Sequence, residues 1–299
     1  MNEGSLLVGE DGRLRPIWRS LAGLAVFYVA LNLAPFAIIP FENRSFVARE
    51  FVSRCVLTLL ITAGFSLLLI ALDQIEGSPL AAMGLPFRRA SVRYGVLGFC
   101  FGAAMIVLAV VAIAVCGHLS YTVTIALPTM IRPMLLVTGM LAMGAMFEEL
   151  AFRGYPFQRL VEAIGSVAAV VVTSVIFAAT HIANPHASVF SIVNTAAVGV
   201  LFALAYLKTR SLWLPWGMHF GWNFTLGVLF GLPVSGITGF SVISHGVATG
   251  PAWLTGGAYG IEASATGTVV IVLGAIVLGL LCRGPVGVPS CAPVDAESR

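Results

Sequence analysis

Residues 94–116 read YGVLGFCFGAAMIVLAVVAIAVC, a run of 23 residues without a charged side chain. A helix needs about 20 such residues to cross the hydrocarbon core of a bilayer, so this run predicts a transmembrane helix. The rest of the chain has the same character, because 59% of its 299 residues are hydrophobic and only 10% are charged. Soluble domains carry about 25% charged residues. The sequence therefore predicts an integral membrane protein.

Seven further apolar stretches could span the membrane, which predicts an all-α polytopic membrane protein, a bundle of about eight transmembrane helices. The eight stretches are 20–39, 54–72, 94–116, 134–152, 166–181, 188–207, 211–230 and 265–282. The bundle would occupy residues 20–282, after a cytoplasmic tail at 1–19. A disordered tail is expected at 283–299, because that segment is rich in proline, glycine and small residues.

Basic residues follow every second apolar stretch, namely the second, fourth, sixth and eighth. The segments on the opposite side contain one basic residue, Arg132, and are 117–133, 182–187 and 231–264. Because cytoplasmic loops of membrane proteins are enriched in lysine and arginine, this alternation predicts that both chain termini are cytoplasmic. Segment 40–53 disagrees, since Arg44 and Arg49 would lie on the outer side.

Three ionisable residues lie in or beside the fourth stretch, as Glu148-Glu149-Leu-Ala-Phe-Arg153. Each costs about 2.5 to 3.5 kcal/mol to insert at the bilayer centre, so a functional or pairing role is expected for each. On a helix, Glu149 and Arg153 are spaced for an ion pair, whereas Glu148 points about 100° away. An unpaired, partly desolvated carboxylate is suited to take a proton from water. An ionic clamp between helices, or a pair that snorkels to the interface, is the alternative.

His181 lies near the end of the fifth stretch, one turn after Phe177. If the fourth and fifth stretches form a hairpin that turns at 164–165, Glu148 and His181 are equally far from the turn. Both would lie about 25 Å along their helices from it, and therefore at the same depth. Phe177 is expected to pack against the imidazole, and Pro156 to kink the first helix. A histidine that serves only helix packing is the alternative.

The seventh stretch contains a second histidine and an asparagine, His219 and Asn223. Four residues apart on a helix, these side chains share one face and predict a polar partner there. Hydrogen bonds that hold helices together without catalysis are the alternative. Gly217 and Gly221 add a face of small residues, which predicts close contact with another helix.

These residues are more informative as a set than one by one. Two carboxylates, two imidazoles and an amide can deprotonate a water, bind a metal and stabilise an oxyanion, as amide hydrolysis requires. A zincin-like site and a serine nucleophile are excluded, since the sequence contains no H-E-x-x-H and no G-x-S-x-G motif. An aspartyl dyad is excluded because no aspartate lies in an apolar stretch.

The motifs E-E-x-x-x-R at 148–153, F-x-x-x-H at 177–181 and H-x-x-x-N at 219–223 resemble those of the CPBP family. This family comprises CAAX prenyl endopeptidase and bacteriocin-processing membrane proteins, and is also called Abi. The resemblance covers about residues 130–280. A glycine-rich segment that contains Glu262 also resembles a family pattern, although a loop before a helix N-terminus explains it equally well.

The resemblance implies an intramembrane endopeptidase with a defined site. The implied site residues are Glu148, Glu149, Arg153, His181, His219 and Asn223. By the resemblance, Glu148 activates water with the assistance of His181, while His219 and Asn223 bind the oxyanion of the scissile carbonyl. The other two residues hold the first motif together.

The family is commonly described as metalloproteases, which implies a second interpretation of the same residues. In it, Glu148, His181 and His219 ligate a divalent metal, with zinc as the expected ion and water in the open position. A metal-free mechanism driven by the glutamate stays open. The two histidines come from different helices, so the sequence has no local ligand spacing that separates these mechanisms.

The expected partners are the lipid bilayer and a membrane-associated or prenylated-like peptide or protein, in a multi-pass protein of the bacterial cytoplasmic membrane. Nucleic acid is not expected, because the 15 Arg and one Lys are scattered between apolar stretches.

Two other functions stay open. One is a non-catalytic membrane immunity or binding protein of the same family, and the other is a transporter or channel that relays protons through Glu148 and His181.

Reporter fusions test the orientation. Fusions at residues 125 and 240 are expected outside the cytoplasm, because both positions lie in segments that nearly lack basic residues. Alkaline phosphatase activity measures this, and a fusion at residue 210 provides the cytoplasmic control. Cytoplasmic behaviour at 125 or 240 would show that the orientation is wrong.

Overall fold

The computed structural model describes residues 6–9, 12–33, 48–75, 83–123 and 127–282. The described chain is mostly α-helical, as predicted, with two short strands in addition. The helices are α1 (Pro16–Leu33), α2 (Ala48–Ile75), α3 (Arg89–Val115), α4 (Leu127–Phe152), α5 (Tyr155–Ile164), α6 (Ser166–Ala179), α7 (Val189–Thr209), α8 (Trp213–Phe224), α9 (Ala252–Thr255) and α10 (Ala265–Leu281). The tail predicted at 283–299 lies outside the described residues. The predicted N-terminal tail ends early, because α1 begins at Pro16.

Each of the eight apolar stretches contains a helix, and α5 and α9 are additions. Within the described residues, three helical stretches are long and apolar enough to cross a membrane: Arg89–Val115, Ile131–Ile164 and Val189–Thr209. The second of these includes α5 as well as most of α4. Shorter apolar segments of 10–17 residues lie in α1, α2, α6 and α10. These helices indicate a membrane protein, while the number of eight spans stays a prediction.

The helices carry apolar side chains on their outer faces as well as in the core. In α3, Ile106 is fully buried, whereas Leu108 on the opposite side is 57% exposed. α10 follows the same pattern, with Ile271 buried and Leu280 exposed. A helix that is hydrophobic all round belongs in a large core or a membrane. These outer faces are therefore suited to contact lipid.

Backbone contact with α3 sets the position of α8, which carries the third motif. A Cβ added at Gly102 of α3 would lie 2.0 Å from the carbonyl oxygen of Met218. From the other side, a Cβ at Gly221 would lie 2.2 Å from the carbonyl oxygen of Phe99, and Gly217 meets α3 in the same way. The small-residue face predicted for this stretch therefore lies directly against another helix.

The chain breaks between α4 and α5, so the fourth and fifth apolar stretches do not form the simple hairpin predicted. A side chain at Gly154 would bring its Cβ within 2.4 Å of the carbonyl oxygen of Leu150, and Pro156 lies in the first turn of α5. α5 then packs against α1 before Gly165, with φ of 83°, turns the chain into α6. The equal depth expected for Glu148 and His181 assumed a continuous hairpin, so it no longer follows once α5 lies between α4 and α6.

A two-stranded antiparallel sheet links two distant segments. β1 (Leu119–Val123) pairs with β2 (Ser244–Ala248), with Tyr121 opposite Gly246. These strands were not expected from the sequence, because each has only five residues and its partner lies more than a hundred positions away. Both segments were predicted on the same side of the membrane, and their pairing agrees with that arrangement.

Substitution of Gly102 by alanine is expected to destabilise the fold by about 1–3 kcal/mol, because its methyl group has no room against α8. Thermal unfolding in detergent measures this as a lower Tm. Gly279→Ala in α10 is the matched control, since a Cβ there has no neighbour within 4 Å. Equal Tm values for the two variants would contradict close α3–α8 packing.

Candidate active site

The first motif ends α4 with a buried ion pair. Glu149 is fully buried, Arg153 is nearly so, and Arg153 Nη1 donates to Glu149 Oε1 over 3.1 Å. Nη2 of the same guanidinium donates to the carbonyl oxygen of Gly199 in α7 over 2.8 Å. The guanidinium also lies over the rings of Phe177 and Phe202, 4.9 and 5.4 Å from their centroids. Arg153 therefore connects α4 to both α6 and α7.

Glu149 also binds the third motif, which the sequence analysis did not predict. His219 of α8 places Nδ1 3.0 Å from Glu149 Oε1, and since a carboxylate only accepts hydrogen bonds, Nδ1 carries the hydrogen. The other ring nitrogen, Nε2, lies 3.8 Å from Glu148 Oε2. The ring stacks on Phe202 with centroids 5.2 Å apart. One carboxylate oxygen thus orients both Arg153 and His219.

Glu148 differs from its neighbour in both exposure and bonding. Its side chain is 29% exposed, whereas that of Glu149 is fully buried. Its Oε2 atom forms no hydrogen bond with any residue in the described part of the chain. The only charged contact of Glu148 within 4 Å in that part of the chain is with His219. Because Oε2 is itself buried beside His219, water reaches the carboxylate from its other oxygen, Oε1, on the exposed part of the side chain.

His181 lies in the turn that follows α6. Its Nδ1 is 2.8 Å from the carbonyl oxygen of Phe177 and 3.1 Å from Thr180 Oγ1. Because a carbonyl oxygen only accepts, Nδ1 carries the hydrogen and Nε2 is left for another partner. Phe177 packs edge-on against the imidazole as expected, with centroids 4.9 Å apart. Between the described positions of His181 and Glu148, no hydrogen bond or ion pair forms, so their expected meeting is not seen.

A cavity of ≈ 30 Å³ brings the second and third motifs together, and it has room for about two water molecules. Its wall includes the side chains of His181, His219, Asn223 and Glu262, with further polar groups from Asn194, Thr195, Trp222 and Ser235. Phe177, Phe202 and Ile271 supply part of the apolar remainder. Glu148 is not in this wall and lies on the Nε2 side of His219. His219 therefore belongs to the cavity wall and also contacts Glu148.

Glu262 is a cavity residue that the sequence analysis left out of its site. Its Oε1 accepts a hydrogen bond from Trp222 Nε1 over 3.1 Å, and its Oε2 accepts one from the backbone N–H of Ser235. Trp222 is the residue before Asn223, so the carboxylate lies beside the third motif. The available signal was an acidic residue directly before an apolar helix, preceded by three glycines within six positions.

The segment 182–187 was expected to bound the pocket, with Asn184 and His186 at its mouth. Asn184 donates from Nδ2 to the carbonyl oxygen of Ser235 over 2.9 Å, and His186 is exposed with φ of 59°. Ser235 lines the cavity, whereas no residue of 182–187 does. The segment therefore supports the wall from one layer further out.

The metal ligands predicted were Glu148, His181 and His219. Within the described residues, no group of three or more His, Cys, Asp or Glu side chains lies close enough to hold one ion. His219 uses Nδ1 for Glu149, and His181 forms no ion pair with Glu148 in this part of the chain. The side chains in this arrangement therefore do not fit the predicted three-ligand centre.

Substitution of Arg153 by alanine is expected to destabilise the protein by about 3 kcal/mol or more, because it leaves Glu149 buried with one of its two partners lost. Thermal unfolding and the yield of folded protein measure this loss. Arg159→Ala is the matched control, since its ion pair with Glu162 lies nearer the surface and is worth about 0–1 kcal/mol. Equal stability of the two variants would show that Arg153 does not anchor the motif.

Comparison with known proteins gives a match to a protein family. The family model for Rce1-like proteins, described as type II CAAX prenyl endopeptidase Rce1-like, matches residues 128–225. The matched region begins in α4 and ends just after α8, so it includes all three motifs but not Glu262. No curated protein and no solved structure matches the chain. The match suggests a CAAX-type protease activity. The resemblance of the three motifs to the CPBP and CAAX protease family is thus confirmed by a type II CAAX prenyl endopeptidase match over residues 128–225.

Proposed function

We propose that this protein is a multi-pass intramembrane endopeptidase of the CAAX type, in which Glu148 activates the water that hydrolyses a peptide bond. The observation that carries the proposal is the sharing of Glu149 Oε1 between Arg153 and His219. This sharing holds Nε2 of His219 3.8 Å from a second carboxylate, Glu148, whose side chain is partly exposed. A structural clamp needs only one carboxylate, and a second is costly in an apolar bundle.

Glu148 is the base in this proposal. Its carboxylate is partly exposed, so water can reach it, and the surrounding bundle limits its solvation. The attacking water gives one proton to Glu148 while its oxygen bonds to the scissile carbonyl carbon. When the tetrahedral intermediate collapses, the C–N bond breaks and the leaving nitrogen takes that proton. Glu148 is thereby deprotonated again and ready for the next cycle.

His219 and Asn223 stabilise the charge that develops on the carbonyl oxygen. Since Nδ1 of His219 is bound to Glu149, only Nε2 is left to face the substrate, and it donates when the ring is protonated. A protonated ring also balances the site, because one imidazolium and one guanidinium offset two carboxylates. The amide of Asn223 adds a neutral donor one helical turn away on the same face. Each such donor typically contributes about 10²–10³ in kcat.

His181 assists from the cavity side. Its Nδ1 hydrogen is committed to the carbonyl oxygen of Phe177, so Nε2 can accept the second hydrogen of a water in the cavity. A water held by acceptors through its hydrogens presents an oxygen lone pair toward the carbonyl carbon. This role needs no direct contact between His181 and Glu148.

The proposed substrate is a membrane-associated peptide or protein, and a prenylated C-terminal peptide is the first candidate. The family match supports this class, and the apolar outer faces support a location in the bilayer. We place the protein in a bacterial cytoplasmic membrane, with both termini inside. The proposed partners are therefore the substrate and the lipid, without nucleic acid.

Glu148→Gln is expected to abolish cleavage of a farnesylated CAAX peptide in detergent, with kcat reduced by at least about 10³-fold, because the amide cannot take a proton. The fold should survive, since Oε2 of Glu148 has no hydrogen bond in the described chain to lose. Glu162→Gln on α5 is the matched control and should keep full activity, because Glu162 is exposed, pairs with Arg159 and belongs to none of the three motifs.

Two results would count against this proposal. Full activity in the Glu148→Gln variant would remove the assigned base, and no cleavage by the unsubstituted protein would favour a non-catalytic binding or immunity protein. Assays with and without a chelator test the metal separately, since activity lost on chelation and restored by zinc would show that a metal takes part.

A further inference from the structure

Glu262 is the acidic group of the cavity that the proposed mechanism does not use. We propose that its carboxylate contacts the substrate and selects against an acidic residue beside the scissile bond. The inference rests on the proposed peptidase function and names a specificity determinant of that site. It concerns a residue outside the matched region 128–225.

The chain is bent sharply to bring Glu262 to the cavity. Gly256, Gly257 and Gly260 all have positive φ, of 81°, 58° and 101°, which glycine adopts without strain. A Cβ at Gly256 would lie 1.7 Å from the carbonyl oxygen of Gly260, so the segment folds tightly back on itself. Ser264 then caps α10 by accepting from the backbone N–H of Gly267. These bends place Glu262 in the cavity wall.

Fixed hydrogen bonds hold the carboxylate in place. Trp222 Nε1 donates to one oxygen and the backbone N–H of Ser235 to the other. Ser235 itself has a φ of 48°, a left-handed conformation that is unfavourable for a serine, and Asn184 holds its carbonyl oxygen. Each carboxylate oxygen keeps a further acceptor position, and the side chain is only partly buried. Hydrogen bonds therefore orient the Glu262 carboxylate and leave acceptor positions on it for a substrate.

The charge of Glu262 is not balanced by a permanent cation in the cavity wall. None of the described residues that line the cavity is a lysine or an arginine, and His181 and His219 are its only groups that can become positive. Trp222 places Glu262 next to Asn223, which binds the substrate carbonyl in the proposed mechanism. A second carboxylate brought to this place would be repelled, whereas an amide N–H or an ammonium group would be attracted.

A purely structural role makes a different prediction. The backbone carbonyl of Glu262 accepts a hydrogen bond from Asn194 Nδ2 over 3.0 Å. Thr268 Oγ1 in turn donates to Oδ1 of the Asn194 side chain. These bonds connect α7 to α10 and do not depend on the Glu262 side chain. Substitution of the carboxylate alone therefore leaves the connection in place, which makes Glu262→Gln a usable variant.

Farnesylated CAAX peptides test the inference. One set carries Ala, Lys or Glu directly before the prenylated cysteine, and a second set carries them directly after it. In at least one set, the unsubstituted protein should cleave the Glu peptide with a kcat/KM about 10- to 100-fold below that of the Ala peptide. The Glu262→Gln variant should reduce this difference to less than about 3-fold.

Trp222→Phe is the matched control, because it removes one hydrogen bond to Glu262 but keeps the carboxylate. It should retain the discrimination against the Glu peptide even if its total activity falls. If Glu262→Gln keeps the same discrimination, or lowers the cleavage of all peptides equally, the carboxylate is structural and the inference is wrong. If the unsubstituted protein cleaves no peptide of either set, the proposed function fails and this inference with it.

Discussion

The sharing of one carboxylate oxygen is the interaction on which the site depends. Glu149 Oε1 accepts from Arg153, which directly follows α4, and from His219 on α8, and both Glu149 and Arg153 are buried from solvent. A buried charge that loses its partner is strongly destabilising, so the three groups fix one another. The first consequence is that α4 and α8 have a single relative position. The second is that Nε2 of His219 lies 3.8 Å from Glu148, the adjacent and partly exposed carboxylate.

Backbone packing makes this interaction geometrically feasible. Glycines let α3 and α8 approach until their backbones touch, so α8 is held along its length by a neighbour that carries no site residue. The site groups therefore lie on a supported helix rather than on a loop. Directly after Phe224 the helix widens into a π-helical turn, Thr225–Leu229, and such turns are frequent at functional sites. The packing of α3 thus contributes to the site without touching it.

The opposite wall of the cavity comes from chain segments that lie far apart in the sequence. Ser235 and Glu262 follow the matched region, and both are reached through tight bends with positive φ. They meet Trp222 on α8 and enclose the space beside His181. The chemistry we propose lies in α4, α6 and α8, whereas substrate choice is assigned to this later part. Substitutions in the wall formed by Ser235 and Glu262 can therefore alter substrate choice while the hydrolytic residues stay the same.

The sequence by itself determined the helical membrane class and the residues of the three motifs, because apolar length and four-residue spacing are local properties of the chain. It also predicted the Glu149–Arg153 pair, since the two residues are four positions apart on a predicted helix. Only the tertiary structure decided that Glu149 binds His219, that α5 separates the first two motifs, and that Glu262 enters the cavity. Each of these depends on contacts between segments distant in sequence, and no local spacing encodes which helix lies against which.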